Sequence, residues 1–325
     1  MRKTLFIPLI IAVLFIAGCS GTTTSKKIEK EYNIGVLLSD TGLGDESFND
    51  SAFRGLEKAR DELGILFDYR EAPDGDFETP LEELTQQGND LVIGLGFSVQ
   101  EAIEKTAEKY PDQEFLLIDG VSELENVTSI TFKEHEGSFL VGMVAAMASK
   151  SQKLGIIGGA DVPVIHRFEK GFRQGAQYIN PKINITNEYA NTFSDAQLGR
   201  EIAEKQIKSG IDFIYPAAGF TGVGAIQAAQ DNKVFTAGVD SDQYFVAEKA
   251  VVTSMMKNID VAVFDIAESL VKEGAIPQDI YELGLAENGV GLAPIRNFKF
   301  SEEQLKAIEA AKDKVISGSV TINLD

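Results

Sequence analysis

Polar and aromatic side chains recur where apolar runs of strand-like composition end. The carboxylates among them can accept hydrogen bonds from paired hydroxyls, the rings can stack on a planar ligand, and the one lysine can balance negative charge. The positions are Asp40, Phe97, Asp119, Tyr215, Gly219, Phe220, Asp240 and Lys257. Ligands bind at the carboxyl ends of strands in open α/β sheets, so we expect these residues to line one cleft if two such sheets face each other.

The stretch from Ser39 to Asp50 carries the densest group of such side chains. It joins an apolar run, 34–38, to a segment, 51–63, in which apolar residues recur at helical spacing, so we predict a strand-to-helix loop. Phe48 offers an aromatic face there, and Asn49 offers an amide that can both donate and accept hydrogen bonds. The alternative is an acidic, solvated turn in which Phe48 belongs to the core.

Charge and composition exclude several classes of function. The 325-residue chain has a formal net charge of −20, which argues against nucleic acid and anionic lipid as partners. Two histidines and one cysteine are too few for most zinc sites. The segment 219–224 lacks the spacing of a dinucleotide-binding or phosphate-binding loop, and 96–100 lacks the second glycine of a nucleophile elbow. We expect no metal, no cofactor and no enzymatic activity.

The amino-terminal residues resemble a lipoprotein signal. A short basic start precedes an apolar run over 5–17, which suits a secretory peptide and is short for a membrane-spanning helix. The run leads into Ile-Ala-Gly-Cys, which ends at Cys19 and resembles a lipobox. We therefore predict a signal peptide over 1–18, acylation of Cys19, and a tether over 19–32. The alternative is an uncleaved anchor with an incidental cysteine.

From Asn33 the pattern alternates between short strands and helices, and the alternation starts again at Leu154. Successive strand–helix–strand runs build parallel sheets with helices on both faces. The sequence therefore predicts an α/β fold with two doubly wound parallel-sheet lobes. Capping boxes at Thr79–Glu82, Ser98–Glu101 and Ser301–Gln304 predict three helix starts.

Several motifs together resemble the basic membrane protein family of bacterial lipoproteins, which are similar to type I periplasmic binding proteins. The first begins with Asp40 and closes with Asp-Glu-Ser-Phe-Asn, ending at Asn49. Further motifs lie at Glu136–Leu140, Arg167–Phe172, Gly219–Gly224, Gly238–Gln243 and Thr253–Asn258. The resemblance runs from the signal peptide to the last helix, and the motifs are specific in combination.

The resemblance implies a pocket for a nucleoside, and we expect its base to be a purine. Position by position, Phe48 would stack on the base, while Asp40 and Asn49 would address the polar edge of the base. The second stacking ring is left open between Tyr215 and Phe220, with Tyr215 favoured. A bulky residue at position 220 departs from the family pattern, which places base specificity in doubt.

The resemblance also implies how the sugar is held. Asp119, Asp240 and Lys257 would bind the ribose, because a carboxylate can accept from two adjacent hydroxyls. Phe97 and Gly219 would lie on the wall of the same cleft.

The resemblance implies a chain that crosses between its lobes three times. The predicted first lobe comprises 33–131 and 258–288, and the second comprises 132–257 and 289–325. The expected partners are the permease and ATPase subunits of an ABC importer, and the expected state is a monomer anchored by lipid to the outer face of the cell membrane.

Three alternatives stay open from the sequence. The first is a receptor for a sugar or signal molecule on the same fold. The second is a sensory or regulatory surface lipoprotein without a role in transport. The third, and least supported, is an enzyme such as a nucleoside hydrolase.

Overall fold

The structure is a computed structural model that describes residues 30–277 and 280–325. The predicted signal peptide, Cys19 and most of the predicted tether lie outside the described residues. Residues 31–325 form one compact unit. In the described part of the chain, no helix is long and apolar enough to span a bilayer.

Strands and helices alternate along most of the described chain. The strands are β1 (Asn33–Leu37), β2 (Leu66–Arg70), β3 (Leu91–Leu95), β4 (Phe115–Ile118), β5 (Val127–Phe132), β6 (Lys153–Gly158), β7 (Asn184–Tyr189), β8 (Phe213–Ala217), β9 (Phe235–Asp240), β10 (Val251–Lys257), β11 (Ile280–Leu283) and β12 (Val290–Leu292). The α-helices are α1 (Phe48–Leu63), α2 (Glu78–Gln86), α3 (Gln100–Lys109), α4 (Glu134–Ala148), α5 (Pro163–Ile179), α6 (Ala196–Lys208), α7 (Gly219–Asp231), α8 (Ile259–Glu273) and α9 (Glu302–Ile316).

The strands form two sheets of matching order. The first sheet runs β11-β5-β4-β3-β1-β2 and the second runs β12-β10-β9-β8-β6-β7. Neighbouring strands are parallel, except that β12 runs antiparallel to β10. The chain passes between the sheets after β5, after β10 and after β11. The predicted α/β class with two doubly wound sheets and three crossovers is confirmed, while the boundaries given for the lobes stay a prediction.

Apolar composition explains why these strands lie inside. Every residue of β3 and β4 is buried, as expected for parallel strands covered by helices on both faces. The Ala- and Gly-rich α4 packs closely against α5. A Cβ added at Gly142 would lie 2.0 Å from the carbonyl oxygen of Phe172, so only glycine permits this backbone approach.

Of the three predicted capping boxes, only the one at Ser301 is present. The box at Ser301 is confirmed, since its side chain accepts from Gln304 N–H and the Gln304 side chain accepts in return. Thr79 is not a cap, because α2 begins at Glu78 and Thr79 instead donates to Asp76. Ser98 is not a cap either, because it lies within a one-turn 3-10 helix that precedes α3. Strands β11 and β12 were not predicted.

Candidate functional site

A cavity lies where the carboxyl ends of strands from both sheets meet. The space between its walls amounts to about 630 Å³, part of it open to solvent. Loops after β1, β3 and β4 supply one wall, and residues at the ends of β8, β9 and β10 supply the opposite one. Its lining includes Ser39, Asp40, Thr41, Asp45, Phe48, Gly96, Phe97, Ser98, Asp119, Val164, Ile165, Phe168, Phe193, Ala217, Ala218, Gly219, Val239, Asp240 and Lys257.

The structure brings most of the predicted site residues to this one cavity. Those on its wall are Asp40, Phe48, Phe97, Asp119, Gly219, Asp240 and Lys257. They come from separate segments, and six of these seven lie at or just beyond the end of a strand, as the sequence analysis expected. The three that do not line the cavity are Asn49, Tyr215 and Phe220.

Asn49 supports the first loop from behind and does not face the cavity. Its Oδ1 accepts from the Ser39 N–H at 3.0 Å, and its Nδ2 donates to Ser39 Oγ at 2.8 Å and to Asp45 Oδ2 at 3.0 Å. The side chain is fully buried, and its donors and acceptor are engaged within the protein. The predicted contact between Asn49 and a base is therefore corrected to a structural role.

Tyr215 is a core residue, which corrects the favoured choice for the second stacking ring. Its ring stacks on Phe172 with centroids 5.0 Å apart, and its hydroxyl lies 3.0 Å from Ser138 Oγ. Strand β8 continues for two residues beyond Tyr215, so the tyrosine does not reach the strand end. Phe220 lies in the first turn of α7 and is also absent from the wall of the cavity.

Further aromatic rings on the wall of the cavity come instead from residues to which the sequence assigned no role. Phe168 on α5 and Phe193 before α6 both line the cavity. Lys257 Nζ lies 5.3 Å from the centroid of the Phe48 ring and 5.8 Å from that of Phe168, so both rings lie near the same ammonium group. The Phe193 ring meets Phe97 edge to face at 6.4 Å. Phe168 lies in the Arg167–Phe172 motif, which was the only signal that could have pointed to it.

Lys257 lies at the centre of a buried group of charges. Its Nζ donates to Asp119 Oδ2 at 2.5 Å and lies 3.0 Å from Glu134 Oε1. Glu134, which the sequence analysis missed, is fully buried in the first turn of α4 and accepts from Arg167 Nε at 2.6 Å. A charged side chain stays buried only when it is paired, so these contacts explain how Lys257 remains inside.

The pKa shifts follow from burial opposed by pairing. Burial favours the neutral amine of Lys257, but Asp119 and Glu134 outweigh it and hold its pKa above the ordinary value. Burial would likewise raise the pKa of Glu134, but Lys257 and Arg167 hold it below the ordinary value. Burial raises the pKa of Asp240 to about 6, with Lys257 counteracting it. The group thus combines a retained cation with two carboxyls, those of Asp119 and Asp240, whose pKa values burial raises above the ordinary value.

Asp119 and Asp240 each keep one oxygen without a partner. Asp240 Oδ2 accepts from Ser47 Oγ at 2.6 Å and Asp119 Oδ2 accepts from Lys257, but Oδ1 of each is buried and makes no hydrogen bond. A buried acceptor without a donor costs about 1–3 kcal/mol, so a ligand that supplies donors gains by meeting it. Both residues line the cavity, so their carboxylates are acceptors that a ligand with hydroxyl groups can use.

The chemistry of this cavity suits a neutral ligand with a planar ring and several hydroxyls. The aromatic faces can bury the ring, and the carboxylates can accept from the hydroxyls. Within residues 30–277 and 280–325, no group of three or more His, Cys, Asp or Glu is arranged to hold a metal ion.

Comparison with known proteins agrees with this picture. The family model Bmp, described as ABC transporter substrate-binding protein PnrA-like, matches residues 32–324. The ABC transporter nucleoside-binding protein BmpA of Lactococcus lactis is 33% identical over 338 residues, covering 96% of this chain and 95% of that protein. An uncharacterized lipoprotein of Pyrococcus abyssi is 35% identical, covering 94% of this chain and 81% of that one.

A solved structure is also similar over most of the chain. The ABC transporter solute-binding protein from Aeropyrum pernix K1 superposes with a TM-score of 0.84 at 29% identity, covering 90% of this chain and 94% of that chain.

Proposed function

The chain belongs to the Bmp family of ABC transporter substrate-binding proteins, and we propose that its cavity binds a nucleoside with a purine base. Its fold is that of type I periplasmic binding proteins. Family members bind a substrate for a transporter and do not catalyse a reaction, so the partners of the chain are the permease and ATPase subunits of an ABC system.

The observation that carries the proposal is the pair of buried, unpaired oxygens on Asp119 and Asp240. A ribose presents two adjacent hydroxyls, its 2′ and 3′ groups, and each can donate to one of these carboxylates. Lys257 balances the carboxylates and can itself donate to the sugar. A sugar alone would use these groups but would leave the aromatic faces beside Lys257 without a planar partner.

The base would lie against Phe48, with Phe168 as the second ring. Stacking of a base on an aromatic side chain contributes about 1–3 kcal/mol. Because the amide of Asn49 is engaged, Asp40 is the residue left from the predicted pair to address the polar edge of the base. Asp40 lines the cavity and is exposed.

Closure of two lobes over the ligand is the second part of the proposal. The cavity takes its walls from both sheets, and the chain crosses between the sheets three times, so a hinge at the crossovers can open it. The boundaries 33–131 with 258–288 and 132–257 with 289–325 describe the proposed lobes. Small-angle scattering should give a smaller radius of gyration with nucleoside than without it.

The test of ligand class is a thermal-shift panel of nucleosides, free bases, pentoses and hexoses, followed by calorimetry on the compounds that shift the transition. A bound ligand raises stability by RT ln(1 + [L]/Kd). We expect purine nucleosides to give the largest shifts and free bases smaller ones. If pentoses raise the melting temperature as much as nucleosides do and free bases do not raise it, the nucleoside assignment is overturned in favour of a sugar receptor.

Attachment to the membrane is the third part of the proposal. A lipid anchor on Cys19 would hold the protein on the outer face of the cell membrane as a monomer. Replacing Cys19 with Ala should release the protein from the membrane fraction or leave an uncleaved precursor, because stable retention needs more than one acyl chain. Unchanged processing and membrane retention in the C19A variant would overturn the anchor.

A further inference from the structure

Gln243 connects the segment that carries Asp240 to the loop that follows β1. Its side chain is buried, and its Oε1 accepts from the Val239 N–H at 3.0 Å, which fixes the backbone just before Asp240. Its Nε2 donates to the Glu46 carbonyl oxygen at 3.0 Å. One amide therefore joins two segments of the chain, since its nitrogen donates to the loop after β1 and its oxygen accepts from strand β9.

The backbone around Gln243 is built to hold this amide. The Gln243 N–H donates to Ser254 Oγ at 3.1 Å, so the residue is tied to strand β10 as well. A Cβ added at Gly238 would lie 2.8 Å from the Gln243 Cβ, so glycine at 238 leaves the space that the side chain occupies.

Further hydrogen bonds join the segment around Asp240 to the loop after β1 and to helix α1. Ser47 Oγ donates to Asp240 Oδ2 at 2.6 Å, and the Arg54 guanidinium donates to Ser241 Oγ at 2.7 Å. Arg54 is exposed, so water weakens its contact, whereas Ser47 and Gln243 are buried. The buried pair therefore carries most of the polar attachment between the two segments. Neither residue lines the cavity, and Gln243 is the member that does not touch the Asp240 carboxylate.

We propose that Gln243 is a positioning residue. It couples the placement of Asp240 to the contact between the loop after β1 and the end of β9, and so sets how long a ligand stays bound. This inference rests on the proposed function. Gln243 holds Asp240 at its site while attaching the same segment to the Glu46 carbonyl, so loosening the amide loosens both the ligand acceptor and the closed arrangement. The residue acts through Asp240 and the loop, and it makes no contact with the ligand itself.

The sharpest variant is Gln243→Glu, which preserves size and the acceptor for Val239 N–H but places an oxygen opposite the Glu46 carbonyl. The chain supplies a matched control in Gln206, which is equally buried at 3% exposure. Its Nε2 donates to the Ile156 carbonyl oxygen over a distance of 3.2 Å, and the residue does not line the cavity. Gln206→Glu therefore makes the same substitution at an equally buried amide that donates to a backbone carbonyl. If Gln243→Glu does not fold, Gln243→Met with Gln206→Met makes the comparison without a new charge.

Calorimetry and stopped-flow dissociation with guanosine test the inference. We expect the Gln243 variant to bind about five- to fiftyfold more weakly, mainly through faster dissociation, and the Gln206 variant to stay within about twofold of wild type. Wild-type affinity and dissociation in the Gln243 variant would overturn the proposal. Equal weakening in both variants would overturn it too, because the effect would then follow stability alone.

Hydrogen exchange on the unliganded protein separates this inference from the proposed function. The segment around Glu46 and Ser47 should exchange faster in Q243E than in wild type or Q206E, whether or not a nucleoside binds. If the wild-type protein binds no nucleoside, the proposed function is refuted. The exchange result then still shows whether Gln243 attaches the loop after β1 to the end of β9. Unchanged exchange in Q243E would refute the attachment even if nucleosides bind.

Discussion

Asp119 and Asp240 occupy matching places in the two sheets. Asp119 directly follows β4 and Asp240 ends β9, and each of these strands is third from the edge formed by β11 or β12. Both have left-handed backbone conformations, with φ of 66° and 63°, which non-glycine residues rarely adopt. Such strain is retained where the surroundings fix it, often at functional sites. One ligand that meets both carboxylates would join the two sheets through its own hydroxyls.

Removing the Asp240 carboxylate should separate binding of the sugar from binding of the base. In Asp240→Ala we expect guanosine affinity to fall about tenfold to over a hundredfold, since the ribose hydroxyls lose a buried charged acceptor. Affinity for free guanine should change little. Asp212→Ala is the control, because Asp212 holds the Ser149–Ser151 turn away from the cavity. Calorimetry showing full-strength guanosine binding by folded Asp240→Ala would exclude the ribose contact.

Nucleoside affinity should depend on pH through Asp240. Burial raises the pKa of this carboxyl to about 6. The ionised form accepts from hydroxyl donors, so affinity should be greatest above pH 6 and should weaken as the pH falls through that value. Calorimetry from pH 7.5 to 5 checks this, with Asp240→Ala as the variant that should lose the dependence. An identical pH profile in both proteins would assign the titration to another group.

Stability of the unliganded protein should show the opposite dependence. Because the folded pKa of Asp240 lies above the value of 3.8 for an ordinary Asp, its contribution is favourable below pH 3.8 and is lost as the pH rises through about 6. Asp240→Asn should therefore raise the melting temperature more at pH 7.5 than at pH 5. Calorimetric melting at both pH values measures the difference, and an equal effect at both would contradict it.

Phe168 and Tyr215 should differ in what their substitution changes. Phe168→Ala should weaken guanosine and guanine alike by about tenfold to a hundredfold, because a stacking face is lost. Tyr215→Phe removes only the hydroxyl that meets Ser138, so stability should fall by about 1 kcal/mol while affinity stays unchanged. Paired melting and binding measurements distinguish the two. If Tyr215→Phe lowers affinity as much as Phe168→Ala does, Tyr215 contributes to ligand binding after all.

Lys257 should be needed for stability as well as for binding. Lys257→Met leaves Asp119 without its cation and Glu134 with Arg167 alone, and breaking a buried pair costs about 3–5 kcal/mol. The loss of stability caused by Lys257→Met should become smaller at low pH, because an unpaired buried carboxyl has a raised pKa and becomes protonated. Lys205→Met is the control, since Lys205 pairs with Glu188 at 72% side-chain exposure and should change stability little. Equal losses in the two variants would show that the buried pairs contribute no more than the surface one.

The cavity residues that the sequence predicted best are those that lie at strand ends. Asp119, Asp240 and Lys257 were found because an apolar run that stops marks the edge of a parallel sheet, and that edge is where the cavity lies. Tyr215 was placed wrongly because its strand extends to Ala217, and the direction of a side chain near a strand end changes with each residue.

The residues that the sequence missed depend on contacts between distant segments. Glu134 is buried because Arg167 and Lys257 surround it, and no local pattern reports a pairing made across the fold. Phe168 reaches the cavity from a helix, so no strand end marks it. Asn49 was given a ligand role because its amide could read a base, yet Ser39 and Asp45 engage that amide first.

The edge-to-face contact between Phe97 and Phe193 has a practical use. These rings come from loops of opposite sheets and line the cavity together, and the chain contains no tryptophan. A single indole introduced at either position would be the only one in the molecule, and its emission would report whether the other ring is beside it. The protein therefore offers a scaffold for an optical sensor that needs no attached dye and has no background from native indoles.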